Sequence, residues 1–123
     1  MNYVIDSSGW IEFFFGLPKK DKFSHYILGK DPLLTPSLVL FEVYKKIKQN
    51  SSESEALLAI SQMQKGTTIP FNDDLALLCA DLSIKHKLPM ADAIVYGTTL
   101  AHQAKLVTAD NDFRGLKDVI LIG

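Results

Sequence analysis

At 123 residues with 47% hydrophobic side chains, the chain suits a single domain over residues 1–123, with a core large enough to fold alone and no room for a second. Thirteen Lys plus Arg against fourteen Asp plus Glu give a net charge of -1, so bulk basicity does not advertise a nucleic-acid partner. The lone cysteine, Cys79, excludes an intramolecular disulfide and a thiolate metal cluster, and with no signal-peptide pattern or membrane-length apolar run the expectation is a soluble cytoplasmic protein without a membrane partner.

In chain order, the β-branched run Tyr3-Val4-Ile5 predicts a strand that stops at Asp6, and Ser7-Ser8 can cap a first helix. That helix holds Trp10, Ile11, Phe13, Phe14 and Phe15 and ends at Gly16-Leu17-Pro18; a lysine-rich second helix is expected from Lys20 to Gly29. After the Asp31-Pro32 turn, Leu33-Leu34 is a short strand candidate, and Thr35-Pro36 places a cap and an N1 proline before a helix from Ser37 to Gln49. Ser52 and Glu55 match a capping box, opening a helix that runs to the Gly66 stop. Thr67-Thr68-Ile69 is the next strand candidate.

Asn72-Asp73-Asp74 then resembles a cap and acidic first turn, leading a helix with Leu75, Leu78, Cys79 and Leu82 at helical spacing. Pro89 precedes another helix, Ala91 to Ala104, before the strand candidates Leu106-Val107-Thr108 and Val119 to Ile122. Short apolar strands alternating with helices imply an α/β fold, a three-layer sandwich around a mostly parallel sheet.

In such a sheet ligands bind beyond the carboxyl ends of the strands, where strand order reverses. Asp6 and Asp110 each follow an apolar strand, and Asp92 sits in the first turn of the helix before the Asp110 strand, where the positive helix terminus eases the gathering of negative charge. Glu42 interrupts Leu38-Val39-Leu40-Phe41 and Val43, where an unpaired carboxylate is costly. A hard divalent cation would offset the mutual repulsion of these acids, and oxygen-only ligands suit Mg²⁺ or Mn²⁺ better than zinc. Each acid also has a plainer reading: Asp6 as a helix cap, Asp92 as a first-turn acid, Glu42 paired with Lys46, and Asp110 and Asp112 as turn residues.

The segment from Val4-Ile5-Asp6-Ser7-Ser8-Gly9 to Trp10-Ile11-Glu12-Phe13-Phe14 resembles the opening motif of PIN domains of the VapC type. Leu40-Phe41-Glu42-Val43-Tyr44-Lys45 resembles that family's internal glutamate helix, Ala91-Asp92-Ala93-Ile94 its third acid, and Leu106-Val107-Thr108-Ala109-Asp110-Asn111-Asp112-Phe113 its final strand and acidic turn. The motifs fall in the family's order over nearly the whole chain. The resemblance implies that Asp6, Glu42, Asp92 and Asp110 hold Mg²⁺ or Mn²⁺, with Asp112 as a further ligand in a turn of variable length and Ser8 and Thr108 in support. It also implies an endoribonuclease hydrolysing RNA phosphodiester bonds, acting as the toxin of a VapBC-type toxin–antitoxin pair, with a homodimer and a small VapB-like antitoxin as partners.

Lys45 and Lys46, one turn beyond Glu42, and Arg114, just after the acidic turn, are candidate contacts for RNA phosphates, against the plainer reading of a solvated face. His25, His86 and His102 lack metal-ligand spacing and read as surface residues. The first helix is apolar on more than one side, which fits either burial between neighbours or a dimer or antitoxin surface. Two other classes compete: a catalytically silent PIN scaffold that binds RNA or protein, and a receiver-like Mg²⁺-binding phosphoacceptor domain. The receiver pattern asks for paired acids after the first strand and a lysine after the last, where this chain has Asp6-Ser7-Ser8 and Ile122-Gly123.

Overall fold

The apolar runs become five strands and the amphipathic stretches six α-helices in the computed structural model, which describes residues Met1–Gly123. In chain order these are β1 (Tyr3–Ile5), α1 (Ser7–Phe15), α2 (Lys20–Ile27), β2 (Leu34–Pro36), α3 (Ser37–Asn50), α4 (Glu53–Met63), β3 (Thr67–Ile69), α5 (Asp73–His86), α6 (Met90–Ala101), β4 (Lys105–Thr108) and β5 (Val119–Leu121). A short 3₁₀ turn, Asn111–Phe113, lies between the last two strands.

β1, β4 and β5 pair in parallel, with Ile5 opposite Val107 and Thr108 opposite Leu121. β2 and β3 form a second parallel ladder, joined to β1 by one bridge between Tyr3 and Leu33 and by the Tyr3 N–H, which donates to the Pro32 carbonyl at 3.1 Å. The spatial order is therefore β3-β2-β1-β4-β5. Parallel neighbours require crossovers, and helix pairs supply them from β1 to β2, β2 to β3 and β3 to β4. The chain moves outward from β1 to β3 and then returns to the other side of β1. That reversal opens a crevice between the carboxyl ends of β1 and β4.

The α/β sandwich and its parallel sheet are as expected from the alternation of short strands and helices. Val4, Ile5, Leu106 and Val107 are buried to within 1%, as strands covered on both faces must be. α3 turns Val39, Val43 and Ile47 inward at four-residue spacing, and α6 is buried from Ala93 through Thr99. The threonine hydroxyls within α6 are satisfied locally: Thr98 donates to the Ile94 carbonyl at 2.8 Å and Thr99 to that of Val95 at 2.9 Å.

Ser52 and Asn72 cap α4 and α5 as predicted, accepting from Glu55 N–H at 3.1 Å and Leu75 N–H at 2.9 Å. At the start of α1 the cap is Asp6, as its plainer reading expects, rather than Ser7 or Ser8, because its extended backbone carries the carboxylate to the Gly9 N–H at 2.8 Å. Gly9 is required there, since a Cβ would stand 2.6 Å from the Phe23 ring. Thr35 and Pro36 also depart from the expected cap and N1 pair; they remain extended opposite Thr68 and Ile69, and Pro36 takes the cap position without a side-chain bond. α2 stops at Ile27, and α6 runs from Met90 to Ala101, where His102 and the left-handed Gln103 (φ 51°) turn the chain into β4.

Much of the aromatic surplus of α1 is absorbed internally. Trp10 stacks on Phe14 at 5.7 Å, with Phe13 edge-on to both. Phe15 and Leu17 remain partly exposed.

Candidate metal centre

β1 and β4 end side by side, and the residues that follow them meet in the crevice. Asp6 leaves β1 buried, at 7% exposure. Its Oδ1 accepts the Gly9 N–H at 2.8 Å and the Ser8 hydroxyl at 3.0 Å, while its Oδ2 accepts a short bond from the Thr108 hydroxyl. The same Thr108 oxygen accepts the Asp110 N–H at 3.0 Å, and Asp110 Oδ1 accepts the Asp112 N–H at 2.9 Å. One hydrogen-bonded relay thus runs Asp6–Thr108–Asp110–Asp112, joining the two strand ends.

Asp92 enters from the first turn of α6. Its carboxylate and those of Asp110 and Asp112 offer oxygens that all lie within 4.8 Å of one another. Glu42 stands on α3 at the edge of the group and senses the charge of Asp6. The structure therefore brings all five predicted acids into one neighbourhood, with Asp92, Asp110 and Asp112 the tightest cluster and Asp6 fixed behind it.

Their acidities record the crowding. Burial foremost pushes Asp92 up to about 7, and the negative charges of Asp110, Asp112 and Asp6 and a hydrogen bond shared with Asp112 add to it. Burial also raises Asp6, with Asp110 adding, against the opposing hydrogen bonds from Thr108, Gly9 and Ser8. Glu42 is raised by burial and by Asp6, with the Ser7 hydroxyl pulling the other way. No cation answers these acids: the ion pairs of the molecule are Met1–Asp31, Lys48–Glu53 and Lys105–Asp118, so the alternative pairing of Glu42 with Lys46 is not formed. An all-oxygen cluster of this kind relieves its repulsion by taking up protons or a hard divalent cation.

Lys45 and Lys46 line a cleft of about 510 Å³ together with Ser8 and Glu42, so both stand next to the acids. Arg114 is exposed beside the acidic turn, its guanidinium donating to Asn111 Oδ1 at 2.9 Å. The histidines lie elsewhere: His25 packs edge-on to Tyr26, His86 to Tyr96, and His102 faces the Thr98 carbonyl. Two contributors were not singled out from the sequence, the Gly9 N–H on Asp6 and the Ser7 hydroxyl beside Glu42. The three-residue step from Asp6 to Gly9 is ordinary N-cap spacing and was the available signal for the first.

The family model for the PIN domain matches residues 3–119. The chain belongs to the PIN-domain family. This membership removes the receiver-like alternative. Solved structures with the same fold include a toxin–antitoxin complex from Klebsiella pneumoniae, with TM-score 0.82 at 23% identity over 96% of this chain and 95% of the other. A second is VapC20 of Mycobacterium tuberculosis, a Sarcin-Ricin loop cleaving toxin, with TM-score 0.79 at 17% identity over 95% and 96% of the two chains. VapBC2 of Rickettsia felis, bound to a DNA fragment from its promoter, has TM-score 0.77 at 15% identity over 99% and 98%. At these identities the likeness is one of fold, and it runs the length of both chains. No curated protein sequence matches significantly. No helix of this PIN domain is long and apolar enough to cross a membrane.

Proposed function

We propose that this chain is a divalent-metal-dependent endoribonuclease that hydrolyses RNA phosphodiester bonds, and that it serves as the toxin of a VapBC-type pair. The observation that carries the reading is the meeting of Asp92, Asp110 and Asp112 within 4.8 Å, tied through Thr108 to the buried Asp6, at the strand-order reversal of a PIN domain. Structural likeness to VapC and VapBC proteins supports the toxin role and a small VapB-like antitoxin as partner; a homodimer and action in the cytoplasm are parts of the same proposal.

The donor set fits Mg²⁺ or Mn²⁺, because every convergent group is a carboxylate and no basic side chain competes for them. Asp6, Glu42, Asp92, Asp110 and Asp112 would hold it. When bound, such an ion would supply charge stabilisation at the phosphoryl oxygen and lower the pKa of a water for in-line attack. The chain's own residues prepare the ground. Thr108, Ser8 and the Gly9 N–H fix both oxygens of Asp6, so its carboxylate is oriented in advance. Thr108 also fixes Asp110 through its N–H. Asp92, pushed to about 7, gives up its proton near neutral pH, which lets the cluster exchange a proton for a cation. Lys45, Lys46 and Arg114 supply positive charge at the rim for RNA phosphates.

The test compares Mg²⁺- or Mn²⁺-dependent RNA cleavage by the wild type, Asp6→Asn and Asp92→Asn. Cleavage that requires the metal and is lost in both variants is expected; equal activity in all three refutes the assigned site. Growth arrest on expression, relieved by the product of a neighbouring small reading frame, would support the toxin role.

A further inference from the structure

The cleft between α1 and α3 is more than a rim to the acidic group. Glu42, Lys45, Lys46 and Gln49 line it at helical spacing along α3, and Ser8, Ile11 and Glu12 face them from α1. Phe41, one residue before Glu42, also lines it and at 61% exposure is the most exposed phenylalanine of the chain. Lys45 Nζ rests over that ring, 5.7 Å from its centroid. Neither Lys45 nor Lys46 is engaged in an ion pair. Of the two acids in the cleft, Glu42 belongs to the acidic group, and Glu12 is held by the Lys19 N–H at 3.0 Å.

We infer that this cleft is a nucleotide subsite for single-stranded RNA, in which Phe41 stacks one unpaired base next to the scissile position while Lys45 and Lys46 take the adjoining phosphates. The inference rests on the nuclease reading and adds to it a residue that positions substrate. The acidic group repels a phosphodiester chain, so the strand needs anchorage beside it. An exposed aromatic face flanked by free ammonium groups is the combination that single-stranded nucleic acids use. A base on Phe41 takes the place of the Lys45 head group and releases it to the neighbouring phosphate. The volume of about 510 Å³ lies within the range of ordinary ligand pockets. A stacking site reads a π face rather than a base edge, so it selects unpaired over paired RNA and has little sequence preference.

A protein segment filling the same cleft by apolar contact is served equally well by leucine at this position, whereas a stacked base is not. The test titrates a single-stranded oligoribonucleotide carrying a fluorescent purine analogue, in EDTA, into the wild type, Phe41→Trp, Phe41→Leu and Phe41→Ala. The analogue is expected to be quenched by the wild type and by Phe41→Trp. In Phe41→Leu and Phe41→Ala the quenching disappears and affinity falls roughly 5- to 150-fold, with the salt dependence unchanged and the melting temperature showing that the variants fold. With metal present, Phe41→Leu raises KM for RNA and leaves kcat in place. Wild-type binding, quenching and KM in Phe41→Leu overturn the inference and leave the cleft to a protein occupant. If that occurs while the wild type still cleaves RNA with metal, only this inference falls; a wild type that neither binds nor cleaves RNA ends both.

Discussion

The two ends of β4 handle carboxylates in opposite ways. Where the strand begins, Lys105 Nζ meets Asp118 Oδ1 at 2.7 Å, and that bond with the nearby positive charge holds the Asp118 carboxyl below its usual range. Where the strand ends, Thr108 leads into Asp110 and Asp112 beside Asp6 and Asp92, and burial, with the charges of Asp110, Asp112 and Asp6 adding to it, pushes Asp92 up to about 7. One end is a balanced pair that supports the fold. The other is unbalanced charge that the fold must restrain, the arrangement expected of a functional site. Uncompensated buried charge, not the mere presence of acids, separates the candidate site from ordinary surface chemistry.

The largest effect should come from the unbalanced end. Asp6→Asn and Asp92→Asn are each expected to lower metal-dependent RNA cleavage by about a hundredfold or more, measured as kcat/KM. Asp92→Asn should at the same time raise the melting temperature of the metal-free protein at neutral pH, since it removes a group whose ionisation the fold opposes. A variant that loses activity and stability together would assign Asp92 a structural role instead.

Thr108→Val tests the joint between the two strands. It deletes the donor to Asp6 and the acceptor of the Asp110 N–H, leaving buried polar groups unpaired. Cleavage should fall about 10- to 100-fold, and the melting temperature should drop by about 5 °C. Activity equal to wild type would show that the relay is incidental.

The pH dependence of stability follows from the signs. Asp92 is raised above its ordinary 3.8 to about 7, so the folded state holds its proton more tightly than the unfolded chain does. Its contribution is fully present below about pH 4 and is lost as pH rises to about 7. Asp118 is lowered, so its contribution is present above the ordinary value of 3.8 and is lost only as pH falls through its folded value. The metal-free wild type should therefore melt progressively lower between about pH 4 and pH 7, and Asp92→Asn should flatten that fall. Saturating Mn²⁺ at neutral pH should reverse it by about 5 °C, and EDTA should abolish the gain. The smallest effect belongs to the balanced end, where Lys105→Met should lower the melting temperature by about a degree or two and leave kcat unchanged.

Much of this was legible in the sequence because the signals are local. Asp6 and Asp110 each follow an apolar run that can only be a short strand, and Glu42 is conspicuous because its neighbours on α3 are apolar. Caps at Ser52 and Asn72 sit where side-chain chemistry puts them. The contacts that make the site were not legible, because they depend on β1 and β4 becoming neighbours across most of the chain. No local pattern shows that the Thr108 hydroxyl would reach Asp6 or that Asp112 would approach Asp92. By sequence Asp6 fits either a cap or a site acid, whereas its two oxygens are shared between the α1 cap and the Thr108 relay.

The most direct test of the acidic end as a metal centre is calorimetric titration of Mn²⁺ into the metal-free wild type and Asp92→Asn at about pH 8 and pH 6, on either side of the raised Asp92 value. Saturable binding is expected for the wild type at the higher pH, weaker at the lower pH where Asp92 retains its proton, and strongly reduced in Asp92→Asn at both. Binding that is equal in the two proteins, or indifferent to pH, would contradict the account.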